Sequence, residues 1–460
     1  DENWGTCTRY VSPNSHINWR LYISGDDMID SRRAIWSWAL YDWGNSAFAT
    51  TVMAGFFPLF FKAYWANLAK VTESTFYLGL ANSMASILVA LLAPFLGAIA
   101  DRWTAKRRFL TFFALLGIVS SGGLWMVQQG MWQYAAALYV LATIGFSGGN
   151  IFYDALLPGV ASAKKIDYAS SLGFSLGYLG GGLLFLVNVL MYQFPHLFGI
   201  PNGETAIKLA FLSVAVWWAL FSIPVWLWVK EPRIYETSGF FDAVKQGMEQ
   251  IADTLREIRH LKVIGLFLAA YWLYIDGVDT IIRMAVDYGI SLGFPSSSLI
   301  TALLLVQFVA FPATLLFYKY SNRVGNRNAL LTAIVAYCGI TIMGSLVSET
   351  WQFYLLAVAI AMFQGGIQAI SRSLYSRIIP VEKAAQFYGL YNMLGKFAAV
   401  IGPALMGTIT LVTGSNRIGI LSILLLFIPG FILLMKVDFK EGERMAREHL
   451  SDLGRPASQP

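Results

Sequence analysis

Acidic side chains lie inside apolar stretches of this 460-residue chain, where an ionised group needs a partner or a function. Asp42 and Asn45 occupy the segment YDWGNS, within an apolar run from Ala34 to Phe61 that is long enough to cross a bilayer. The carboxylate predicts a site that binds and releases a proton during transport. Asn45 lies one turn further along the same predicted helix and is a candidate to line the same pathway. The alternative is structural, with Asp42 capping or hydrogen-bonding a helix break beside Gly44.

A second apolar run carries four charges on one helical face. They follow one another at steps of three, four and four residues: Asp276, Asp279, Arg283 and Asp287. Asp276 and Asp279 are predicted to line the transport pathway, and Asp276 is also predicted to exchange the coupling proton. Arg283 with Asp287 fits an ion pair that closes the outer end of that pathway.

Lys396 lies near the centre of a later apolar run, too far from either end to reach the membrane surface. It therefore needs a buried partner or an anionic ligand. Asp276 is the candidate partner, and a cavity that offers a carboxylate and an ammonium group suits a zwitterion such as an amino acid. The alternative is a permanent structural pair between Asp276 and Lys396.

Opposite charges also occur near the ends of two runs, at near-equivalent positions in the first and second halves of the chain. Asp154 and Arg372 predict an inner gate that opens as the halves rock, although Asp154 could equally pair with Arg102, and Arg372 with lipid phosphate. Asp101, next to Arg102, is predicted to hold a helix end and the adjoining basic loop in the inward-closed state. Four amides are candidates to line the cavity or to join helices: Asn150, Gln307, Gln364 and Gln368.

The elements that must position these residues follow from composition and hydropathy. The chain is 57% hydrophobic and only 13% charged, against about 25% charged in soluble domains, and its mean hydropathy is +0.57. About twelve apolar runs of roughly 20 residues predict twelve transmembrane helices in an all-α membrane protein. Basic residues concentrate in alternate loops, which places those loops and both termini in the cytoplasm. The formal charge of +6 therefore reports topology, and no nucleic-acid partner is expected.

A central polar insert, residues 230–261, divides the apolar runs six and six. Its apolar residues recur at steps of three and four, which predicts an amphipathic helix at the cytoplasmic interface. The flanking six-helix bundles, 32–229 and 262–436, repeat each other in order, so that DWGNS in the first matches DGVDT in the second. Such duplication is typical of transporters with a site near the membrane midplane. Residues 1–31 and 437–460 are predicted to form a poorly ordered extension and a cytoplasmic tail.

Three segments carry a resemblance to known carriers. The segment GAIADRWTAKR resembles the loop 2–3 motif of the major facilitator superfamily, except at Thr104, where glycine is usual, and at Ala105, where a basic residue is usual. The segments WALYDWGNSAF and GGIQAISRS resemble the vacuole effluxer-like family of that superfamily, whose fungal members are linked to amino-acid export from the vacuole during autophagy. The resemblance implies a carrier fold of two pseudo-symmetric six-helix bundles.

The function that these features predict is proton-linked secondary active transport, by alternating access, of amino acids or similar small polar solutes. A transporter-like receptor or sensor, or a lipid flippase, is the alternative. The sequence has no nucleotide-binding glycine loop with a lysine and no metal-spaced cysteine or histidine cluster, so no enzyme, cofactor or metal site is expected. We expect a multi-pass monomer in the lipid bilayer, of a bacterial inner membrane or of a vacuole, with Trp36 and Trp38 in an interfacial belt.

Overall fold

The computed structural model describes residues 29–66, 71–102, 105–231 and 262–453, and none of these residues lies in a β-strand. Within these ranges twelve helices have the length of a membrane span: α1 (Arg32–Trp65), α2 (Val71–Arg102), α3 (Lys106–Gly123), α4 (Trp132–Val160), α5 (Ile166–Gln193), α6 (Gly203–Trp228), α7 (Lys262–Ser291), α8 (Ser296–Val324), α9 (Asn326–Leu346), α10 (Thr350–Ile378), α11 (Ala384–Thr413) and α12 (Asn416–Met435). A further helix, α13 (Phe439–Leu453), follows α12. The predicted all-α fold with twelve long helices is therefore confirmed.

The perimeter of the helices is apolar. By length and composition ten of the described helices can cross a membrane, while α2 and α11 contain the shorter apolar stretches Ile87–Asp101 and Ile401–Thr413. Large apolar side chains are exposed: Val119 by 70%, Trp351 by 64% and Leu411 by 84%. So much exposed apolar surface is unfavourable in water, which makes this perimeter the surface that contacts acyl chains.

The first helix changes its pitch just beyond its polar segment. It is α-helical as far as Ala47 and π-helical over Phe48–Phe56, so this helix has no break beside Gly44 of the kind that the structural alternative for Asp42 requires. Gly44 instead permits close packing, because an added Cβ would lie 2.9 Å from Phe221 Cβ on α6. The wider turns begin at Phe48, less than two helical turns after Asp42, and π-helical turns frequently accompany functional sites.

The helices pack as an N half (α1–α6) and a C half (α7–α12). In the N half α1 packs against α5 and α6, and α3 against α4; in the C half α8 packs against α10, and α7 against α12. Across the halves α2 meets α11, and α5 meets α8 and α10. An added Cβ at Gly97 of α2 would lie 2.3 Å from the Ala385 carbonyl oxygen of α11, so the halves touch through their backbones there.

One side of the bundle, which we call the basic face, carries the basic loops that join α2 to α3, α4 to α5, α8 to α9 and α10 to α11. The opposite side is the outer face. The positive-inside rule predicts that the basic face is cytoplasmic. On that topology the outer face points away from the cytoplasm.

Cysteine labelling tests this topology. In a Cys7→Ser, Cys338→Ser background, Pro201→Cys should react with a membrane-impermeant thiol reagent added outside the cell, and Ala163→Cys should not. Both positions are exposed, Pro201 between α5 and α6 and Ala163 between α4 and α5, so accessibility depends only on the side of the membrane. Labelling of Ala163→Cys alone would reverse the assigned orientation.

The residues just before α1 are anchored at the basic face. The Asp30 carboxylate accepts hydrogen bonds from the Ser162 N–H at 2.8 Å and from Ser162 Oγ at 2.6 Å, and Lys165 Nζ donates to the Asp30 carbonyl oxygen at 3.0 Å. The extension predicted over 1–31 therefore overlaps a bound segment at its end. Most of that extension, and the amphipathic helix predicted within 230–261, lie outside the described residues.

Glu231 fixes the last described part of the N half to α3. Its carboxylate accepts hydrogen bonds from the backbone N–H groups of Lys106 at 2.9 Å and Arg107 at 3.2 Å. Burial raises the pKa of the Glu231 carboxyl, and the charge of Lys106 opposes that shift. The contact caps the first turn of α3, where backbone N–H groups have no helical partner.

Candidate functional site

A polar cavity of about 180 Å³ lies between the N half and the C half. Its volume is below the roughly 300–1,000 Å³ of sites for drug-sized ligands, so it suits a small solute. Side chains of α1, α4 and α5 form one wall, and side chains of α7, α10 and α11 form the other. Seven of the residues predicted from the sequence line it: Asp42, Asn150, Asp154, Asp279, Arg283, Gln368 and Arg372.

Acidic groups from both halves face the cavity. Asp42 of α1 is half-buried, and its carboxylate accepts hydrogen bonds from Ser46 Oγ at 3.3 Å and from Tyr153 OH at 3.4 Å. Asp279 of α7 lies in the opposite wall, and Arg283 follows it by one helical turn. The cavity thus offers both signs of charge within a small volume.

Amide side chains add hydrogen-bonding groups to both walls. Asn150 lines the cavity, and its Oδ1 accepts a hydrogen bond at 2.7 Å from Asn45 Nδ2, so the buried Asn45 acts on the cavity through Asn150. Gln368 also lines the cavity, and its Oε1 accepts a hydrogen bond at 2.7 Å from Tyr178 OH. Both amides are held by a neighbour, which fixes their orientation toward a solute.

Gln307 and Gln364 are not among the described residues that line the cavity. An added Cβ at Gly182 of α5 would lie 2.8 Å from Gln307 Cβ, which places Gln307 at the contact of α5 with α8. Gln364 is only 6% exposed and precedes the cavity residue Gln368 by one turn of α10. Their positions fit the alternative role of buried amides, which is to join helices.

A buried ion pair joins the two halves at one end of the cavity. Arg372 of α10 donates to Asp154 Oδ1 of α4 at 2.9 Å, with the two side chains 3% and 9% exposed. Arg372 also donates to Ser170 Oγ and to the Ser170 carbonyl oxygen of α5, both at 2.9 Å, and Asn392 of α11 donates to Asp154 Oδ2 at 3.3 Å. Asp154 therefore pairs with Arg372. The side chain of Arg102, the alternative partner, lies outside the described residues.

Aromatic rings enclose the Arg372 guanidinium, and the sequence pattern did not reveal them. The guanidinium carbon lies 4.2 Å from the Phe174 ring centre and 4.9 Å from that of Trp38. Trp38 stacks on Tyr153 with centroids 4.2 Å apart, and its Nε1–H donates to the Tyr153 carbonyl oxygen at 2.8 Å. Trp38 has no exposed surface, so the interfacial-belt prediction was wrong for it. Its spacing four residues before Asp42, on the same helical face, was the available signal.

A second contact between the halves lies at the basic face. The Asp101 carboxylate of α2 accepts hydrogen bonds from the N–H groups of Ala385 at 3.1 Å and Gln386 at 2.8 Å, in the first turn of α11. Lys106 Nζ lies 2.9 Å from the same carboxylate. Asp101 therefore caps a helix of the opposite half, where a negative charge is favourable. That this contact stabilises the inward-closed state stays a prediction.

Asp167, which the sequence pattern did not single out, makes a third contact between the halves. Its Oδ2 accepts hydrogen bonds from Arg377 of α10 at 2.7 Å and from Asn326 Nδ2 of α9 at 3.0 Å. The only feature of the sequence that could have indicated this contact is the position of Asp167, an acidic residue in the first turn of α5 beside a basic loop. Together with the contacts of Asp101 and Asp154, it holds the halves together toward the basic face.

Asp276 does not line the cavity, which departs from its predicted place in the transport pathway. Its side chain is 2% exposed, and Oδ1 accepts hydrogen bonds from the Gly402 N–H of α11 at 2.9 Å and from Thr280 Oγ at 3.4 Å. The carboxylate thus faces a neighbouring helix and not the solute space. The side chains of Lys396 and Asp287 lie outside the described residues, so their predicted pairings stay predictions.

Comparison with known proteins identifies relatives over most of the chain. The family model described as vacuole effluxer Atg22 like matches residues 30–169 and 160–447. A Bacillus subtilis (strain 168) protein described as the uncharacterized MFS-type transporter YxiO is 36% identical over 407 residues, which cover 86% of this chain and 93% of that protein. Autophagy-related protein 22 of Yarrowia lipolytica (strain CLIB 122 / E 150) is 23% identical over 452 residues, covering 79% of this chain and 76% of that protein.

The fold also matches a solved transporter. The crystal structure of the human organic anion transporter MFSD10 (TETRAN) superposes with a TM-score of 0.69 at 15% sequence identity, covering 88% of this chain and 99% of that chain. The predicted major facilitator fold is therefore confirmed. The relatives found by sequence show that the chain is a multi-pass integral membrane protein of the transporter class and not of an enzyme class. Because the family model spans nearly the whole chain, the protein belongs to the vacuole effluxer Atg22-like family of the major facilitator superfamily.

Proposed function

We propose that the protein is a proton-linked secondary carrier that moves amino acids or similar small zwitterions by alternating access. One observation carries this proposal: a small cavity between the halves displays the carboxylates of Asp42 and Asp279 together with the guanidinium of Arg283. A zwitterion needs an anionic partner for its ammonium group and a cationic partner for its carboxylate. Groups of both signs line this one cavity, in the position that carriers with duplicated halves use.

Arg283 is the better partner for the carboxylate of the solute, and Arg372 is not. The guanidinium of Arg372 is already engaged by Asp154 and Ser170 and is enclosed by rings. Arg283 is exposed to the cavity. A planar guanidinium binds a carboxylate through two parallel hydrogen bonds, which gives the site direction as well as affinity. Lys396 stays a predicted second cation for the same end of the solute.

Alternating access requires the contacts at the basic face to separate. The halves are joined there through Asp154 with Arg372, through Asp101 with the first turn of α11, and through Asp167 with Arg377. Rocking of one half against the other would break these contacts and expose the cavity to the basic face. Each of the three contacts is polar, and breaking that of Arg372 also moves its guanidinium away from the rings of Trp38 and Phe174.

Tyr153 connects the proposed proton site with the ion pair. Its hydroxyl donates to Asp42, its ring lies 5.4 Å from the Arg372 guanidinium carbon, and Asp154 is the next residue of α4. A proton on Asp42 would remove a negative charge from the surroundings of Arg372. Proton occupancy and closure of the basic face are therefore linked through short-range electrostatics in a water-poor region, where such effects are strong.

A binding and flux experiment tests the proposal with three forms of one solute. The purified protein should be stabilised against heat by a free amino acid, and less by its methyl ester or its N-acetyl derivative, which each lack one charge. Arg283→Gln should remove the preference for the free acid over the ester. Counterflow of the radiolabelled amino acid in proteoliposomes should then show transport.

Other outcomes of this experiment point to other functions. Binding of amino acids without counterflow would indicate the receptor or sensor alternative. Translocation of labelled lipid without solute flux would indicate a flippase. Equal stabilisation by the free acid, the ester and the N-acetyl form would contradict the zwitterion site.

A further inference from the structure

Asp276 is a buried carboxylate that the cavity does not use. It is 2% exposed, and its Oδ1 accepts hydrogen bonds from the Gly402 N–H and the Thr280 hydroxyl. Burying a carboxylate is unfavourable unless hydrogen bonds or charges compensate for lost water. The hydrogen bond from the Gly402 N–H of α11 is one such compensation, and the question is why a backbone N–H of α11 makes it.

The answer lies in the sequence of α11 around Gly402. Pro403 follows directly, inside the helix. A proline has no N–H to donate to the carbonyl of Ala399, and its ring clashes with that carbonyl, so the helix is weak and bendable at this point. Asp276 gives α11 an acceptor from α7 immediately beside this weak point, one residue before the proline.

The contact depends on the absence of a side chain at Gly402. An added Cβ there would lie 1.8 Å from Thr280 Oγ and 2.6 Å from Asp276 Oδ1. Such distances are too short for any real Cβ, so a larger residue would push α11 away from α7. Glycine is required here for close approach, and its backbone N–H is what reaches the carboxylate.

The N half contains the same arrangement without the proline. Asp42 accepts from the hydroxyl of Ser46, four residues on, as Asp276 does from Thr280. An added Cβ at Gly177 of α5 would lie 2.7 Å from Ser46 Oγ and 3.3 Å from the Asp42 carboxylate. The same set of an acid, a hydroxyl and a glycine thus occurs in both halves, but the acid has different surroundings in each. In the N half the acid faces the cavity, and in the C half it accepts a hydrogen bond from the backbone of α11.

We infer that Asp276 is a positioning residue that holds α11 against α7 at the Gly402–Pro403 hinge and so keeps the basic face closed. The same helix is held at its start by Asp101, and it carries the cavity residues Tyr391 and Asn392 between these two anchors. A change in the bend at Gly402 moves Asn392 relative to Asp154. The inference rests on the proposed carrier function only in so far as closure of the basic face is a step of transport.

Accessibility of a buried cysteine measures closure directly. Ala93 of α2 is 1% exposed, and an added Cβ at Gly389 of α11 would lie 2.6 Å from its carbonyl oxygen, so it is sealed between the halves. In a Cys7→Ser, Cys338→Ser background, the rate at which N-ethylmaleimide modifies Ala93→Cys reports how often α2 and α11 separate. This rate is measured in detergent and requires no transport.

The variants separate a hydrogen-bond acceptor from a proton carrier. Asp276→Leu, which removes the acceptor, should raise the labelling rate at least about tenfold, whereas Asp276→Asn, which retains an acceptor oxygen, should stay near the parent rate. Gly402→Ala should raise the rate as Asp276→Leu does. The matched control is Gly407→Ala on the same helix, where an added Cβ meets no atom within 4 Å.

Two outcomes would overturn the inference. Equal labelling in Gly402→Ala and Gly407→Ala would show that the contact with α7 does not hold the hinge. Asp276→Asn that labels at the parent rate but loses proton-driven uptake would assign the carboxylate to proton transfer instead. If the parent protein shows no flux at all, the proposed function fails, but the labelling comparison still decides the hinge.

Discussion

Replacing Arg372 with glutamine is expected to stop transport and to lower the free energy of unfolding by about 3–5 kcal/mol, the usual effect of removing one partner from a buried ion pair. The substitution strands the Asp154 carboxylate, which is 9% exposed, and it empties the space between the Trp38 and Phe174 rings. Thermal unfolding in detergent measures the loss of stability, and uptake in proteoliposomes measures the loss of transport.

Two further variants show whether the effect belongs to the pair. Asp154→Asn combined with Arg372→Gln leaves no stranded charge and should recover part of the stability of the single variants. Arg377→Gln is the matched control, because Arg377 pairs with Asp167 across the halves but its side chain is 18% exposed. A single Arg372→Gln variant as stable as the parent would show that the pair does not hold the halves together.

Asp42→Asn is expected to abolish accumulation of solute against its gradient while counterflow persists. The asparagine retains the shape and can still accept the hydrogen bond from Ser46, but it cannot bind and release a proton. Carboxylates within a membrane are the groups that carry protons in coupled carriers. Uptake in proteoliposomes with an imposed pH gradient, compared with counterflow without one, measures the two activities separately.

Asp276→Asn is the natural comparison for this variant, because Asp276 is the repeat-equivalent of Asp42. If the two acids have different roles, uptake driven by the pH gradient should disappear in Asp42→Asn and persist in Asp276→Asn. Loss of coupling in neither variant would exclude Asp42 as the proton site. Loss in both would return the original prediction that each acid carries protons.

Much of the fold could be predicted from the sequence, because a membrane helix is recognised by a single property, the hydropathy averaged over about 20 residues. The same holds for Asp42, whose burial in an apolar run is visible without a structure. Asp154 and Arg372 could be placed on opposing halves from their repeat positions, although only packing shows that they touch. The local sequence pattern therefore predicts the helices and the depth of a residue in the membrane, but it does not predict which side chains touch each other.

The position of Asp276 shows where prediction from helical spacing stops. Residues three and seven positions apart lie within the same broad face of a helix, so helical spacing groups Asp276 with Asp279 and Arg283. That face is wide enough to meet both the cavity and α11. Gly402, more than a hundred residues later in the sequence, determines that Asp276 contacts α11, because only a glycine leaves room for the carboxylate there.

The aromatic enclosure of Arg372 could not be predicted for a different reason. The chain is 15% aromatic, so a ring within an apolar run carries little information by itself. Trp38, Tyr153 and Phe174 come from three different helices and gain meaning only when those helices bring them around one cation.

The hold of Glu231 on α3 bears on how mechanical force passes through the protein. A pull along the chain after residue 231 acts first on the turn that carries Lys106, because the carboxylate is bonded to the backbone of that turn. Lys106 pairs with Asp101, and Asp101 grips the start of α11 in the opposite half. A force applied at residue 231 would therefore reach the start of α11 in the opposite half through Lys106 and Asp101.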